Sequence, residues 1–324
     1  MSNFFNINDF YKCAVSCAID NDPRGKQIVE NELDNINKEY NSITDNNKNE
    51  LFDKDKLFNP YADSRILNIA EDKEIKNIFC GIDMQTPELL LADRLIEKGY
   101  NIDLVITHHP TGYAYATFYD VISMQTDKNA LNGIAINVAE SLTNKRLLEV
   151  ERSVSSSNHH RDVMAASFLK INYMCMHTLA DNCVETFLTN EIKKKNPYTV
   201  SDIVDLLNSI EEYKLSAKGG NPVKLFNGSL KNRAGKVVVD MTGGACFDLA
   251  MIEALANSGV STLVVMHLKD NFIEACRKYH INVVVAGHMS SDSLGLNLLF
   301  KYMKEKSNKS FDIIPASGYI FVER

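Results

Sequence analysis

Three short stretches place histidine beside a carboxylate or a second histidine, the side chains that bind transition metals. The first is Ile102-Asp103-Leu104-Val105-Ile106-Thr107-His108-His109-Pro110, an apolar strand pattern that runs straight into two imidazoles. The second is His177-Thr178-Leu179-Ala180-Asp181. The third is His288-Met289-Ser290-Ser291-Asp292, which follows the apolar run Val283-Val284-Val285-Ala286-Gly287. In open α/β sheets, ligands collect at the carboxyl ends of strands. In the second and third stretches an aspartate follows the histidine by four residues. If the chain turns into a helix there, the carboxylate lies on the histidine's side. Such a set suits two divalent ions of borderline softness, Zn, Mn, Fe or Co. Neutral imidazoles ligate each ion, a bridging carboxylate offsets their repulsion, and water at an open position becomes acidic enough to attack at neutral pH. Each piece alone has an ordinary reading. Paired histidines can be loop residues, Asp292 can complement a helix dipole, and His177 can bond to backbone. The combination at three strand ends is what points to a metal centre.

The remaining candidates read differently. His159-His160 lies in a helix start rich in capping residues, Ser155 to Asp162, and suits a surface or capping role. His267 ends a strand and His280 sits at a turn, and neither is expected to be a ligand. Asp83 ends another strand and can orient a ligand histidine. Met241-Thr242-Gly243-Gly244-Ala245 lacks the spacing of a phosphate-binding loop. It reads first as a tight turn and second as a contact for a substrate anion. There is no Gly-x-Ser-x-Gly element, and no cysteine has an evident base beside it, so serine or cysteine hydrolysis has little support.

The elements that must position these residues alternate. Helical patterns cover Phe4–Asp20 and Lys26–Tyr40, broken at Asn21-Asp22-Pro23-Arg24-Gly25, and Asn41–Lys56 reads as an exposed loop or weak helix. Residues 1–75 therefore form a helical appendage. From there the pattern is α/β. A strand at Ile78–Ile82 leads to a helix with Thr86 as cap and Pro87 in its first turn, ending at Lys98-Gly99. A strand at Leu104–Thr107 follows. Helices at Val138–Leu148 and Arg161–Lys170, a strand at Asn172–Met176 and helices at Asp181–Lys194 and Thr199–Tyr213 complete a first lobe, 76–216. Ala217–Gly235, rich in glycine, is a boundary or long loop. The second lobe, 217–324, has strands at Lys236–Asp240, Thr262–Met266, Val283–Ala286 and Tyr319–Val322. Its helices lie at Phe247–Asn257, Asn271–Tyr279 and Asp292–Met303. A strand–helix–strand unit ends at His108-His109 and a similar one at His288, so two related lobes can face each other across a shared site.

Composition narrows the class. The 324 residues are 45% hydrophobic and 24% charged, and 35 basic against 42 acidic residues give a net charge of −7. No basic run exceeds Lys193-Lys194-Lys195, which argues against a nucleic-acid binder. The seven cysteines are odd in number, scattered and without a Cys-x-x-Cys pair, so a reducing cytoplasm is expected rather than a disulfide framework. No signal peptide or membrane-spanning run is read.

The motifs carry a resemblance. Ile78-Phe79-Cys80-Gly81-Ile82-Asp83 followed by Leu104 to Pro110, then His177 to Asp181, then Gly287-His288 through Asp292, resembles the Nif-three-like family, also called GTP cyclohydrolase type-two-like, over about residues 75 to 324. The resemblance implies an α/β fold of two related lobes with a dinuclear metal centre between them and a toroidal homo-hexamer. By motif match its metal ligands are His108, His109, Asp181, His288 and Asp292, with His177 near. The family usually has glutamate where this chain has Asp292, and the helical appendage is unlike its compact members. The leading expectation is a metal-dependent hydrolase acting on a small phosphorylated or nucleotide-like substrate, with no catalytic residue assigned beyond the ligands. The alternatives are a purine ring hydrolase of the GTP cyclohydrolase kind and a non-catalytic metal-binding, assembly or regulatory protein.

Overall fold

The computed structural model describes residues 5–244 and 248–324. The first helix, α1 (Ile7–Asp20), starts where the Asn6 side chain accepts the Asp9 N–H. Phe4, expected to open it, lies outside the described residues. Helices α2 (Lys26–Ser42) and α3 (Asn46–Leu51) precede β1 (Arg65–Asn68). Next come β2 (Asn77–Gly81), α4 (Thr86–Glu97) and β3 (Leu104–Thr107). Between β3 and β4 (Tyr173–Cys175) lie α5 (Gly112–Ala116), α6 (Met124–Leu131), α7 (Ile136–Val154) and α8 (Arg161–Phe168). After β4 run α9 (Thr178–Lys195), α10 (Val200–Asn208) and α11 (Glu211–Lys218). The remaining elements are β5 (Lys224–Asn227), β6 (Lys236–Asp240), α12 (Leu249–Asn257), β7 (Val260–Val265), α13 (Asp270–Lys278), β8 (Asn282–Val285), α14 (His288–Ser307) and β9 (Asp312–Ala316).

The strands form two sheets, in the orders β1-β4-β3-β2-β9 and β5-β8-β7-β6. In each, an antiparallel edge strand pairs with the third of three successive parallel strands, β1 with β4 and β5 with β8, and β9 adds a fourth parallel strand to the first sheet beside β2. The lobes are therefore related element by element: β2 to β6, β3 to β7, β4 to β8. This corrects the expected correspondence. The topological partner of the strand ending at His108-His109 is β7, which leads into His267. The partner of β8, which leads into His288, is β4, which leads into His177.

Alternation along the strands builds the layers. Ile78, Cys80, Leu104, Ile106 and Met174 of the first sheet and Val239, Val264 and Val284 of the second share one core with α9, α14 and α1. The opposite faces pack elsewhere. Phe79, Val105 and Tyr173 meet α4 and α8, and Leu263, Val265 and Val283 meet α12 and α13. Parallel strands covered on both faces read as unbroken apolar runs, which is why they are visible in the sequence. The N-terminal parts of the central helices α9 and α14 are buried nearly all round, and so lack a polar stripe there. They cross at Gly295, where a Cβ would stand 2.6 Å from the Ala180 carbonyl oxygen. Only glycine allows that approach, and it brings the first turns of α9 and α14 together.

Several boundaries differ from expectation. The cap of α4 is Gln85, whose N–H is accepted by Glu88, while Thr86 bonds to Asp162. The expected helix at 199–213 is two helices. The Ala217–Gly235 loop contains β5. The expected strand at Tyr319–Val322 is not a strand; the last strand is β9, at an edge where Pro315 needs no ladder donor. Among the described residues, no helix is long and apolar enough to cross a membrane. Cys13, Cys17, Cys80, Cys175, Cys183 and Cys276 are free thiols. Ala245, Cys246 and Phe247, expected to complete the glycine turn and open a helix, lie outside the described residues.

Candidate metal centre

β3 ends at Thr107, and the chain turns so that the His108 and His109 N–H groups donate to the Ile82 carbonyl at 3.2 and 2.9 Å. His108 is fully buried. Its Nδ1 lies 3.0 Å from the Met176 carbonyl oxygen, which can only accept, so Nδ1 carries the proton and Nε2 presents a lone pair. His109 Nδ1 lies 2.8 Å from Asp83 Oδ1, and His177 Nδ1 lies 2.7 Å from Asp63 Oδ2. Each imidazole is thus held at Nδ1, an arrangement typical of metal-binding histidines.

Helices α9 and α14 begin at Thr178 and His288, three and four residues earlier than expected, which puts His177 and His288 at their starts. Asp181 and Asp292 then lie one turn along, on the same side. His177 Nε2 is 3.7 Å from Asp181 Oδ2, and His288 Nε2 is 3.5 Å from Asp292 Oδ2. The two helix starts converge on the β3 histidines. His109 Nε2 lies 3.4 Å from His288 Nε2 and 3.4 Å from Asp292 Oδ2. With the 3.5 Å separation of His288 and Asp292 these three donors make a nearly equilateral triangle. On the other side, His108 Nε2 lies 3.4 Å from Asp181 Oδ1 and 3.6 Å from Asp292 Oδ1. Two donors on one tetrahedral ion, each about 2.1 Å from it, stand about 3.4 Å apart. Hydrogen bonds centre on about 2.9 Å. The spacing is wider than a hydrogen bond and fits donors that could share an ion.

The burial of these atoms argues the same way. Among the described residues, His108 Nε2, Asp181 Oδ1 and both Asp292 oxygens are buried without a hydrogen-bond partner. An unsatisfied buried carboxylate is destabilising by several kcal/mol, and a cation removes that penalty. Donor atoms of His108, His109 and Asp292, and of His108, His177 and Asp181, fall within 4.8 Å of one another. The buried histidines and aspartates can hold a metal.

Titration reflects the crowding. Burial alone would raise the Asp292 carboxyl, but the imidazoles of His108, His109 and His288 hold it well below the usual carboxylate range. Asp181 is pushed up to about 6 by burial, against the pull of His177 and His108. Burial pushes His288 down to about 4. His177 goes the other way: burial would lower it, but Asp181 and Asp63 lift it to about 9. In metal-free protein His177 therefore binds a proton more tightly folded than unfolded. Its contribution to stability is complete below about pH 6.5 and is lost as pH rises through 9. Metal-free protein is expected to lose about 3 kcal/mol through this group between those limits, with the loss absent in His177→Gln. Urea denaturation at pH 6.5 and 9 measures it.

Asp292 is shorter by a methylene than the glutamate expected from the resemblance. Its oxygens nonetheless already stand 3.4–3.6 Å from three imidazole nitrogens, in a fully buried position. The extra methylene of Asp292→Glu would be forced into packed space. That variant is expected to bind metal about tenfold more weakly, as read by chelator competition.

The structure thus brings together His108, His109, Asp181, His288 and Asp292, with His177 beside them. His159 and His160 stand apart, His160 at the start of α8 and His159 against Tyr115. His267 comes close: its ring centroid is 4.6 Å from that of His288. Asp63, Lys128, Glu185 and Asp240 were not singled out in the sequence. Asp63 is 114 residues from the histidine it holds, and no local pattern marks it. A cleft opens beside the cluster, lined by His177, Asp181, His288 and Asp292 on one side and by Asp240, Thr242, Gly244 and His267 on the other.

No family model and no curated protein matches the chain. Solved structures do. A NIF3 superfamily protein from Sphaerobacter thermophilus is 24% identical with a TM-score of 0.66, and the match covers 79% of this chain and 91% of that one. Reduced HcgD from Methanocaldococcus jannaschii is 16% identical with a TM-score of 0.44, covering 75% and 84%. A protein of Thermus thermophilus is 14% identical with a TM-score of 0.44, covering 78% and 89%. The chain has the fold of the NIF3 superfamily.

Proposed function

We propose that the chain is a dinuclear metal protein that hydrolyses a small substrate. One divalent ion, Zn, Mn, Fe or Co, would be held by His109, His288 and one oxygen of Asp292. The second would be held by His108, Asp181 and the other oxygen of Asp292. The observation that carries this reading is Asp292 itself: both oxygens are buried and unpartnered, and each faces a different donor set. Ions so placed would supply Lewis acidity and a water acidic enough to attack an amide or amidine carbon or a phosphate ester at neutral pH.

The protein's own contribution is positioning and proton handling. Asp83 and the Met176 carbonyl fix the β3 imidazoles. His177 lines the cleft beside Asp181 and is held by the buried Asp63 carboxylate, so its Nε2 is the group best placed to carry a proton to or from a bound substrate. This gives catalysis a residue that a mere metal store would not need. A cytoplasmic homo-hexamer remains part of the reading on the motif resemblance, and sedimentation tests the assembly.

Metal-reconstituted protein, screened against amides, amidines, nucleotides and phosphate esters, is expected to turn over at least one class. His177→Gln is expected to lower that rate by about a hundredfold or more, and metal content read on the same variant separates loss of a proton carrier from loss of a ligand. Two bound ions with no turnover across the panel would leave the non-catalytic reading in its place.

A further inference from the structure

The cleft wall facing the metal-binding cluster comes from the second sheet, and its leading polar group is Asp240, at the end of β6. Asp240 is gripped from behind. The buried Lys128 ammonium donates to Asp240 Oδ1 at 2.9 Å, to Glu185 Oε2 at 2.8 Å and to the Thr242 carbonyl at 2.7 Å. Glu185 in turn accepts the Met241 and Thr242 N–H groups at 2.7 and 2.8 Å. The strand end is locked, and the Asp240 side chain keeps 16% of its surface, on the cleft.

This arrangement selects among ligands. An ammonium has three protons, and all three of Lys128 are taken by protein acceptors, so it has none for a ligand. Among the described residues that line the cleft there is no lysine or arginine. A phosphate at this wall meets a fixed carboxylate and neither lysine nor arginine among the described lining residues. A group bearing N–H meets an acceptor already in place.

We propose that Asp240 is the substrate-reading carboxylate of this cleft. It accepts an N–H from a small neutral or cationic molecule of the amide or amidine type, whose adjacent carbon faces the metal-binding wall. The proposal deepens the hydrolase reading and rests on it for that wall: it favours carbon–nitrogen over phosphate-ester substrates.

The test titrates zinc-reconstituted full-length protein calorimetrically with benzamidine and, separately, with inorganic phosphate. Benzamidine is expected to bind at least about tenfold more tightly than phosphate, and Asp240→Asn to lose about tenfold in benzamidine affinity with zinc content unchanged. In unmutated protein, the Thr242 and Gly244 amide resonances are expected to shift on adding benzamidine. Tighter phosphate binding, undiminished benzamidine binding by Asp240→Asn, or unmoved Thr242 and Gly244 resonances would overturn the proposal. Zinc content is read in the same samples. Wild-type protein that takes up none of zinc, manganese, iron or cobalt would sink the hydrolase reading, while the benzamidine comparison still decides the role of Asp240.

Discussion

Asp292→Ala protein is expected to retain less than one transition-metal ion where the parent retains two. The other ligand candidates each face one side of the cluster. His108 and Asp181 lie on one side, His109 and His288 on the other, and Asp292 alone presents an oxygen to both. Removing it takes a donor from each ion and removes the negative charge that offsets their repulsion. Loss of one ligand at a three-residue site commonly lowers affinity by orders of magnitude, and here the loss strikes twice. His288→Ala provides the contrast, since it opens one side and is expected to leave about one ion. Mass spectrometric metal analysis of the three proteins after identical reconstitution reads the outcome. Two ions retained by Asp292→Ala would remove the bridging role.

The second large effect concerns stability. Lys128→Met is expected to destabilise the fold by about 3–5 kcal/mol, because it strands two carboxylates against a buried wall. Lys128, Glu185 and Asp240 join α6, α9 and β6, elements from both lobes, in one ionic cluster. The Lys128 and Glu185 side chains are only 5% and 3% exposed. Burial already pushes Glu185 up to about 7 even with Lys128 beside it. Without the ammonium it rises further. A carboxyl raised above its unfolded value disfavours the fold increasingly as pH climbs past the unfolded value. The deficit of Lys128→Met is therefore expected to be about 1 kcal/mol larger at pH 8 than at pH 5, because Glu185 beside Lys128 stays protonated up to about pH 7 and the two proteins diverge through it only above that pH. Urea midpoints at the two pH values check this. A deficit under about 1 kcal/mol at pH 8 would show that the cluster contributes no net stability.

How much of this was legible in the sequence follows from what each feature depends on. The parallel strands announced themselves because they are buried on both faces, and the residues after them carried the chemistry: His108, His109, His177 and His288 all follow strands. The four-residue spacing to Asp181 and Asp292 worked because both segments turn into helix at once. The correspondence between lobes was misjudged. It is set by which strand the antiparallel edge joins, β1 on β4 and β5 on β8, and no local pattern records pairing across more than fifty residues. For the same reason Asp63 went unseen in a segment read as a helical appendage, although it holds His177. Lys128 lies in a stretch to which the sequence reading assigns no element, and Glu185 falls inside an expected helix with nothing to mark it; only the packed fold shows that they are buried against each other. The two central helices, buried nearly all round in their N-terminal parts, gave weak periodicity, and their starts were placed three to four residues late.

The most direct test of the central claim is anomalous X-ray scattering at the metal edge from a crystal of reconstituted protein. The account predicts two peaks, one among His109, His288 and Asp292 and one among His108, Asp181 and Asp292, with the Asp292 carboxylate between them. No peak in this cluster, with the Asp292 oxygens satisfied by protein or water instead, would contradict it.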